Sequence, residues 1–328
     1  MTERCLIIQP IHQGGLARLR EAGIEPLLAS APDMATVARE IRDCAAVITR
    51  NAGLARAAID AAPGLRVIGN HGIGLDPVDV PFASALGIPV VNTPDANADA
   101  VAEHAAALVL ALAKRLRAAD AATRAGDFAF KYRERILELR GATLGIVGFG
   151  RTGRRTAAAL AHGFGMRPLV HDPSAPDDAI AAVGGERAAS LDALLQGSDV
   201  ISLHVPLRDD TRGLIGAREL ALCRPGALLV NTARGALVDE AALIAAVREG
   251  RLGGVGLDVY ASESMPPDHP LLQLDAAVLT PHAAGSAEGA LRRTALEVAE
   301  QVIDVLAGRR PPHLVNPEVW VRRRGRRG

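Results

Sequence analysis

The stretch GATLGIVGFGRTGRRTAAALA, residues 141–161, places three glycines in a G-x-G-x-x-G pattern between an apolar run and an alanine-rich stretch. Only a residue without a side chain can turn this sharply from strand to helix. Gly148 permits the turn, Gly150 lets backbone approach a phosphate, and Gly153 lets helix and strand pack closely. The pattern thus predicts a strand–turn–helix unit within a parallel sheet. Glycine-rich turns are common, so the context matters. RPLVHD reads as the next strand and ends on Asp172, about twenty residues on, at the spacing of a dinucleotide fingerprint. A carboxylate there accepts ribose hydroxyls and repels a 2′-phosphate, which favours NAD over NADP. Arg151 and Arg154 blur that preference, and Asp172 alone could also be an ordinary turn residue before Pro173. The amides at the start of the helix, at Arg151 and Thr152, suit a pyrophosphate with help from the helix dipole.

This turn sits mid-chain, although a complete α/β series precedes it. CLIIQ, AAVIT, LRVIGN and IPVVN read as buried strands, and GLARLREAG, MATVAREIRD and ARAAIDAA as helices. Such alternation predicts parallel strands joined by crossover helices. A long helix from about Asp99 to Lys114 follows, then the charge-rich AGDFAFKYRERILELRG. A second series begins at Ala142, with strand candidates TLGIVG, RPLVHD, VISLHV, ALLVNT, GGVGLD and AVLTP. A last helix, Ser286 to Leu306, closes the pattern. The expected fold is α/β, with two doubly wound parallel-sheet domains. Residues 1–99 and 286–328 form one, and residues 100–285 are inserted into it.

Three polar residues each follow an apolar run of the second series: Arg234 in NTARG, Glu263 in DVYASE and His282 in TPHAAG. Ligands of open parallel sheets bind beyond the carboxyl ends of the strands, so these groups should converge on what the glycine turn holds. A guanidinium grips a carboxylate in two places and still leans on a carbonyl oxygen. A histidine titrates near neutral pH and can give and recover a proton, and a carboxylate such as Glu263 can orient its ring. Singly, each residue has a plainer reading: strand-end arginine, solvated loop acid, structural histidine. His71, on the glycine-rich NHGIG loop, could line the same cleft. His104 is expected to pack within the long helix. His162, His171, His204, His269 and His313 show no acidic partner by position.

Composition excludes several classes. Lys+Arg and Asp+Glu both number 37, so no global field recruits nucleic acid or membrane. Aromatics are 2%, too few for a base-stacking platform. Cys5, Cys44 and Cys223 are scattered, which suggests buried thiols in a reducing, cytoplasmic setting. No Cys/His spacing suits zinc, so no metal site is expected. MTERCLIIQP lacks the basic-then-apolar layout of a signal peptide. Glu103 and His104 interrupt the most apolar helix, so no membrane span is expected. The basic tail VRRRGRRG is expected to be a solvated end rather than a nucleic-acid site.

Taken in order, NHGIGLDPVD, NTPDANADAVAEH, LRGATLGIVGFGRTG, HVPLRDDTRGLIG, RPGALLVNTARGALVDE, GLDVYASE and TPHAAGS resemble the D-isomer-specific 2-hydroxyacid dehydrogenases, phosphoglycerate dehydrogenase and hydroxypyruvate reductase among them. The likeness covers almost the whole chain. It implies a flavodoxin-like substrate domain, an inserted Rossmann domain that binds NAD, and a homodimer formed partly by the helix near residues 100–117. It further implies that Arg234 binds the substrate carboxylate, His282 is the acid/base and Glu263 its partner. Backbone at Ile73 and Gly74 would cradle the carboxylate. Gly148, Gly150, Arg151, Thr152, Gly153, Asp172, Pro206, Thr232, Ala233, Asp258, His282 and Gly285 would contact the cofactor. Arg50 resembles a residue near the phosphate of phosphoglycerate substrates, and equally an ordinary strand-end arginine. Glu263–Ser264 departs from the family's frequent Glu-Pro, and Cys223 from a frequent methionine.

The expected reaction moves a hydride between the nicotinamide and C2 of a small 2-oxo acid: hydroxypyruvate, glyoxylate or 3-phosphohydroxypyruvate. Arg234 would polarise the carbonyl and His282 protonate the alkoxide. Three rivals stand beside it, one of them an inactive relative, against which the intact Arg234, Glu263 and His282 set argues. Formate oxidation needs no proton relay, but a carboxylate at position 263 argues against it. An NAD(H)-sensing binding protein or corepressor of the same fold would bind the dinucleotide and turn over little.

Overall fold

The structure, a computed structural model, describes residues 2–262 and 264–325. The chain divides into two compact units, Met1–Asn97 with Ser286–Gly328, and Ala98–Gly285. The first junction falls at Ala98 because the helix Ala98–Ala113 begins there and packs in the second unit, on helix Arg151–Phe164 and three strands of its sheet.

The first unit carries five parallel strands, β1 (Glu3–Ile7), β2 (Ile24–Leu28), β3 (Ala46–Thr49), β4 (Val67–Asn70) and β5 (Val90–Val91), in the order β2-β1-β3-β4-β5. This is the flavodoxin-like order, with its switch point between β1 and β3. Residues of β3 and β4 are buried throughout, as a sheet covered on both faces requires. Helix Glu288–Leu306 returns to this unit and packs on helix Gln13–Glu21 and on β4. Its Val298, Val302 and Ala299 fill one apolar layer with Cys5, Ile7, Ile48 and Val67.

The second unit has seven parallel strands: β6 (Thr143–Val147), β7 (Arg167–His171), β8 (Glu186–Arg187), β9 (Val200–Leu203), β10 (Ala227–Asn231), β11 (Leu252–Leu257) and β12 (Ala277–Leu279). Their order is β12-β11-β10-β9-β6-β7-β8. The chain runs outward from β6 to β8, then doubles back to β9, which pairs with the other side of β6. That reversal puts a topological switch point between β6 and β9.

Pairing registers align one row of residues across six of these strands: His171, Val147, Leu203, Asn231, Leu257 and Leu279. Every strand is parallel, so whatever follows this row leaves the same edge of the sheet. The long helix, Ala98–Ala113, lies within a residue of its expected bounds. It stops at Ala113, Arg115 takes a left-handed conformation (φ 49), and a separate helix spans Leu116–Arg124.

Candidate active site

Among the described residues, the expected cofactor and catalytic residues of the second unit lie at or just beyond that row. Gly148 follows Val147, Asp172 follows His171, and Pro206 is three residues past Leu203. Thr232, Ala233 and Arg234 follow Asn231, Asp258 follows Leu257, and His282 and Gly285 come three and six residues after Leu279. Because β10, β11 and β12 are neighbours, the Arg234 and His282 loops are separated by one strand, a spacing of ~10 Å between the outer strand axes.

The glycine turn is built as its sequence requires. Gly148 has φ 91, and a Cβ there would meet His204 and Val205 within 2.8 Å, because β9 exits beside β6. A Cβ on Gly153 would lie 2.1 Å from the Gly148 carbonyl oxygen. At Gly150 a Cβ would meet nothing within 4 Å, so this side of the turn is open to a ligand. Helix Arg151–Phe164 starts at the next residue, and its first-turn amides face the same edge. The Asp172 carboxylate accepts from Phe149 N (2.7 Å) and from Ser174 N and Oγ (both 2.8 Å). Burial alone would raise this carboxyl, but those bonds to Phe149 and Ser174, with the Ala175 amide, hold it below the usual carboxylate range. An ionised carboxylate next to a cradle with one open glycine and two crowded ones fits a dinucleotide.

Arg234 is presented by a turn that Asn231 closes. Asn231 Nδ2 donates to Arg234 O (2.8 Å), and Asn231 Oδ1 accepts from Ala233 N (3.0 Å). A Cβ at Gly235 would fall 1.9 Å from Tyr260 O, so this glycine lets the β10 and β11 loops touch. Arg234 Nη1 donates to Ala233 O at 2.7 Å.

His282 occupies a left-handed conformation, φ 53, and its amide donates to Thr280 O (3.0 Å). A non-glycine residue persists there only when its surroundings over-determine it. Asp258 supplies much of that restraint. It is fully buried, and its carboxylate accepts from Ala283 N and Ala284 N (both 2.8 Å) and from Thr280 Oγ1 (2.6 Å). Tyr260 Oη donates to Thr280 O at 2.7 Å, and burial pushes its phenol up to about 12. Glu263 lies outside the described residues.

In the first unit, Arg50 follows β3 at that unit's switch point and donates from Nη1 to Pro10 O (2.9 Å); burial lowers its pKa. His71 follows β4, is buried, and donates its amide to Thr49 O (2.8 Å). Burial, with the Arg50 cation adding to it, pushes His71 down to about 4, so its ring is neutral. Asn70 Nδ2 donates to Gly72 O and Gly74 O and so shapes the loop holding Ile73, which is exposed.

Two histidines without an obvious partner in sequence have one in space. His269 Nε2 lies 3.2 Å from Glu240, and His313 Nε2 lies 3.3 Å from Glu297. Their partners come from distant segments, which no local pattern reveals. His104 does pack within its helix, but it also reaches Thr280 and Asp258. Among the described residues no group of three His, Cys, Asp or Glu could hold a metal ion, and no helix is long and apolar enough to cross a membrane.

Residues 106–284 match the family model for the D-isomer specific 2-hydroxyacid dehydrogenase NAD binding domain. The chain is 38% identical to the glyoxylate reductase of Korarchaeum cryptofilum over 325 residues, 97% of both chains. It is 37% identical to the D-3-phosphoglycerate dehydrogenase of Methanocaldococcus jannaschii over 314 residues, 95% of this chain and 59% of that one. Its structure superposes on the D-lactate dehydrogenase of Aquifex aeolicus, solved with NAD and lactic acid, with a TM-score of 0.87 at 28% identity, covering 96% and 99% of the two chains. The chain belongs to the D-isomer specific 2-hydroxyacid dehydrogenase family. It is a nicotinamide-dependent oxidoreductase that interconverts 2-oxo acids and 2-hydroxy acids.

Proposed function

We propose that this chain reduces glyoxylate, hydroxypyruvate or 3-phosphohydroxypyruvate to the 2-hydroxy acid, the D isomer where C2 is a stereocentre, with NADH preferred to NADPH. One observation carries the reading: a single register row across six parallel strands sends the glycine turn, Asp172, Arg234, Asp258 and His282 off the same sheet edge. The bound nicotinamide supplies the hydride. Gly148, Gly150 and Gly153 hold the pyrophosphate against the amides of Arg151 and Thr152, and Asp172 takes the ribose hydroxyls. Pro206, Thr232, Ala233, Asp258, His282 and Gly285 surround the nicotinamide half. Arg234 grips the substrate carboxylate and polarises the C2 carbonyl as negative charge builds on its oxygen. His282 then donates a proton to that oxygen from its imidazolium. Glu263 steadies the imidazolium, a role that rests on the family resemblance. Ile73 and Gly74 backbone, His71 and Arg50 are assigned as substrate contacts.

A homodimer is part of this reading. The segment after helix Ala98–Ala113 exposes Leu116, Phe128, Tyr132 and Ile136, apolar side chains that a second copy would cover. Burial of all three free cysteines fits a reducing, cytoplasmic setting. The test is an NADH- and NADPH-oxidation assay over those three 2-oxo acids. Turnover of at least one, faster with NADH, is expected. Saturable NADH binding without turnover of any would favour the sensing-protein alternative, and an NADPH preference would overturn the role of Asp172. A phosphorylated best substrate would support Arg50 as an anion contact.

A further inference from the structure

The second unit contains a hydrogen-bonded relay that the proposed reaction does not use. His104, on helix Ala98–Ala113, places Nε2 2.9 Å from Thr280 Oγ1 and 3.6 Å from Asp258 Oδ1. Its side chain is 23% exposed, whereas that of Asp258 is 0% exposed. Proton counting fixes the direction of the bonds. Thr280 has one hydroxyl proton, and it goes to Asp258 Oδ1 at 2.6 Å, on a carboxylate that also accepts two backbone amides. Thr280 Oγ1 then offers His104 only lone pairs. His104 must carry a proton on Nε2 and donate it.

This relay ends on the backbone that presents His282. Asp258 accepts the amides of Ala283 and Ala284, the two residues after the left-handed His282. Thr280 precedes it by two and accepts the His282 amide. Both flanks of the turn therefore hang on the Thr280–Asp258 pair, and the hydrogen bond from His104 to Thr280 comes from outside the turn. The left-handed conformation is unfavourable for a residue with a side chain, so the turn relaxes unless such bonds persist. A buried carboxylate that loses part of its polar surroundings is also costly. We propose that His104 is a positioning residue: through Thr280 and Asp258 it holds the turn that aims the His282 imidazole. This inference rests on the acid/base reading of His282.

The test compares His104→Leu, which keeps bulk and loses the donor, with His104→Gln, whose amide can still donate. For His104→Leu, kcat is expected to fall by ~10- to 100-fold, since a small misplacement of a reacting group has effects of this size. NADH affinity, read by fluorescence titration, should hold, and His104→Gln should recover most of the lost kcat. Should His104→Leu fold poorly, Thr280→Val gives the same information with a smaller change in shape. The double variant His104→Leu/Thr280→Val should then lose no more kcat than Thr280→Val alone, because the two act through one path. Independently of turnover, histidine nitrogen resonances of the cofactor-free protein should show a proton on His104 Nε2 and a shift of the His282 signals in His104→Leu. A proton on Nδ1 alone, unchanged kcat in His104→Leu, or equal losses in the Leu and Gln variants would overturn the proposal. The two readings fail separately. Full turnover by His282→Gln removes the acid/base role itself, whereas loss in His282→Gln beside normal turnover in His104→Leu removes only the relay.

Discussion

Gly153→Ala and Gly150→Ala should behave in opposite ways, although both alter the same turn. A Cβ at Gly153 lies 2.1 Å from Gly148 O, where non-bonded heavy atoms settle near ~3.5 Å or beyond. That oxygen belongs to the backbone of the turn, so helix Arg151–Phe164 must lift or the turn must open. Overpacking of this kind costs ~1–3 kcal/mol. At ~2–4 °C per kcal/mol for a domain of this size, Gly153→Ala should melt ~2–12 °C early. Gly150 has φ −72 and would place its Cβ in open space. Its alanine variant should keep the parent's stability within ~0.5 kcal/mol. It should nonetheless bind NADH at least ~10-fold more weakly, a loss of ~1.4 kcal/mol, because the methyl group occupies the approach of the pyrophosphate. Scanning fluorimetry and an NADH fluorescence titration read the two effects separately. The reasoning is refuted if Gly153→Ala melts with the parent, or if Gly150→Ala binds NADH as tightly.

Three further outcomes follow from the site. Burial holds His204 at about 4 against an ordinary 6.5. The unfolded chain then binds the extra proton between those values, so in the cofactor-free protein His204 alone should account for a loss of ~3 kcal/mol as pH falls from 6.5 toward 4, beside that from His71; urea midpoints for the parent and His204→Gln, whose loss should be smaller, check this. Arg234→Lys should raise KM and lower kcat for every 2-oxo acid, since an ammonium cannot reproduce the planar fork; an unchanged response across the acid series would remove Arg234 from the site. Asp172→Ser should raise the NADPH-to-NADH ratio of kcat/KM, and an unaltered ratio would show that its carboxylate does not face the ribose.

Much of this architecture is legible in the chain, for identifiable reasons. Strands such as VISL and ALLVN are buried along their whole length, so each reads as an uninterrupted apolar run. The glycine pattern survives because each glycine answers a separate steric demand. Strand β2 (IEPLL) is hidden by its glutamate and proline, which an edge strand with half-exposed residues tolerates. Strand β8 comprises two exposed residues at the opposite edge, too few to form a pattern. The end of the long helix is legible at about Lys114, but the separate helix Leu116–Arg124 is not, because none of its residues is buried and it has no core-facing apolar stripe to read. Within the site, Arg234 and His282 can be picked out because each follows an apolar run. Asp258 can be named as a cofactor contact, but its anchoring of the His282 turn needs the pairing of β11 with β12. The contact of His104 with Thr280 joins residues 176 apart in sequence. Sequence periodicity describes faces of single elements, and such a bond belongs to none of them.

On the proposed mechanism His282, three residues beyond the shared register row, moves the proton. Its most direct test is the single-turnover rate and NADH affinity of His282→Gln with the best 2-oxo acid. The rate should fall by ~10²- to 10⁴-fold, the size of a lost general acid, with NADH bound as tightly as before. A His282→Gln enzyme reducing its 2-oxo acid at the parental rate would contradict the account.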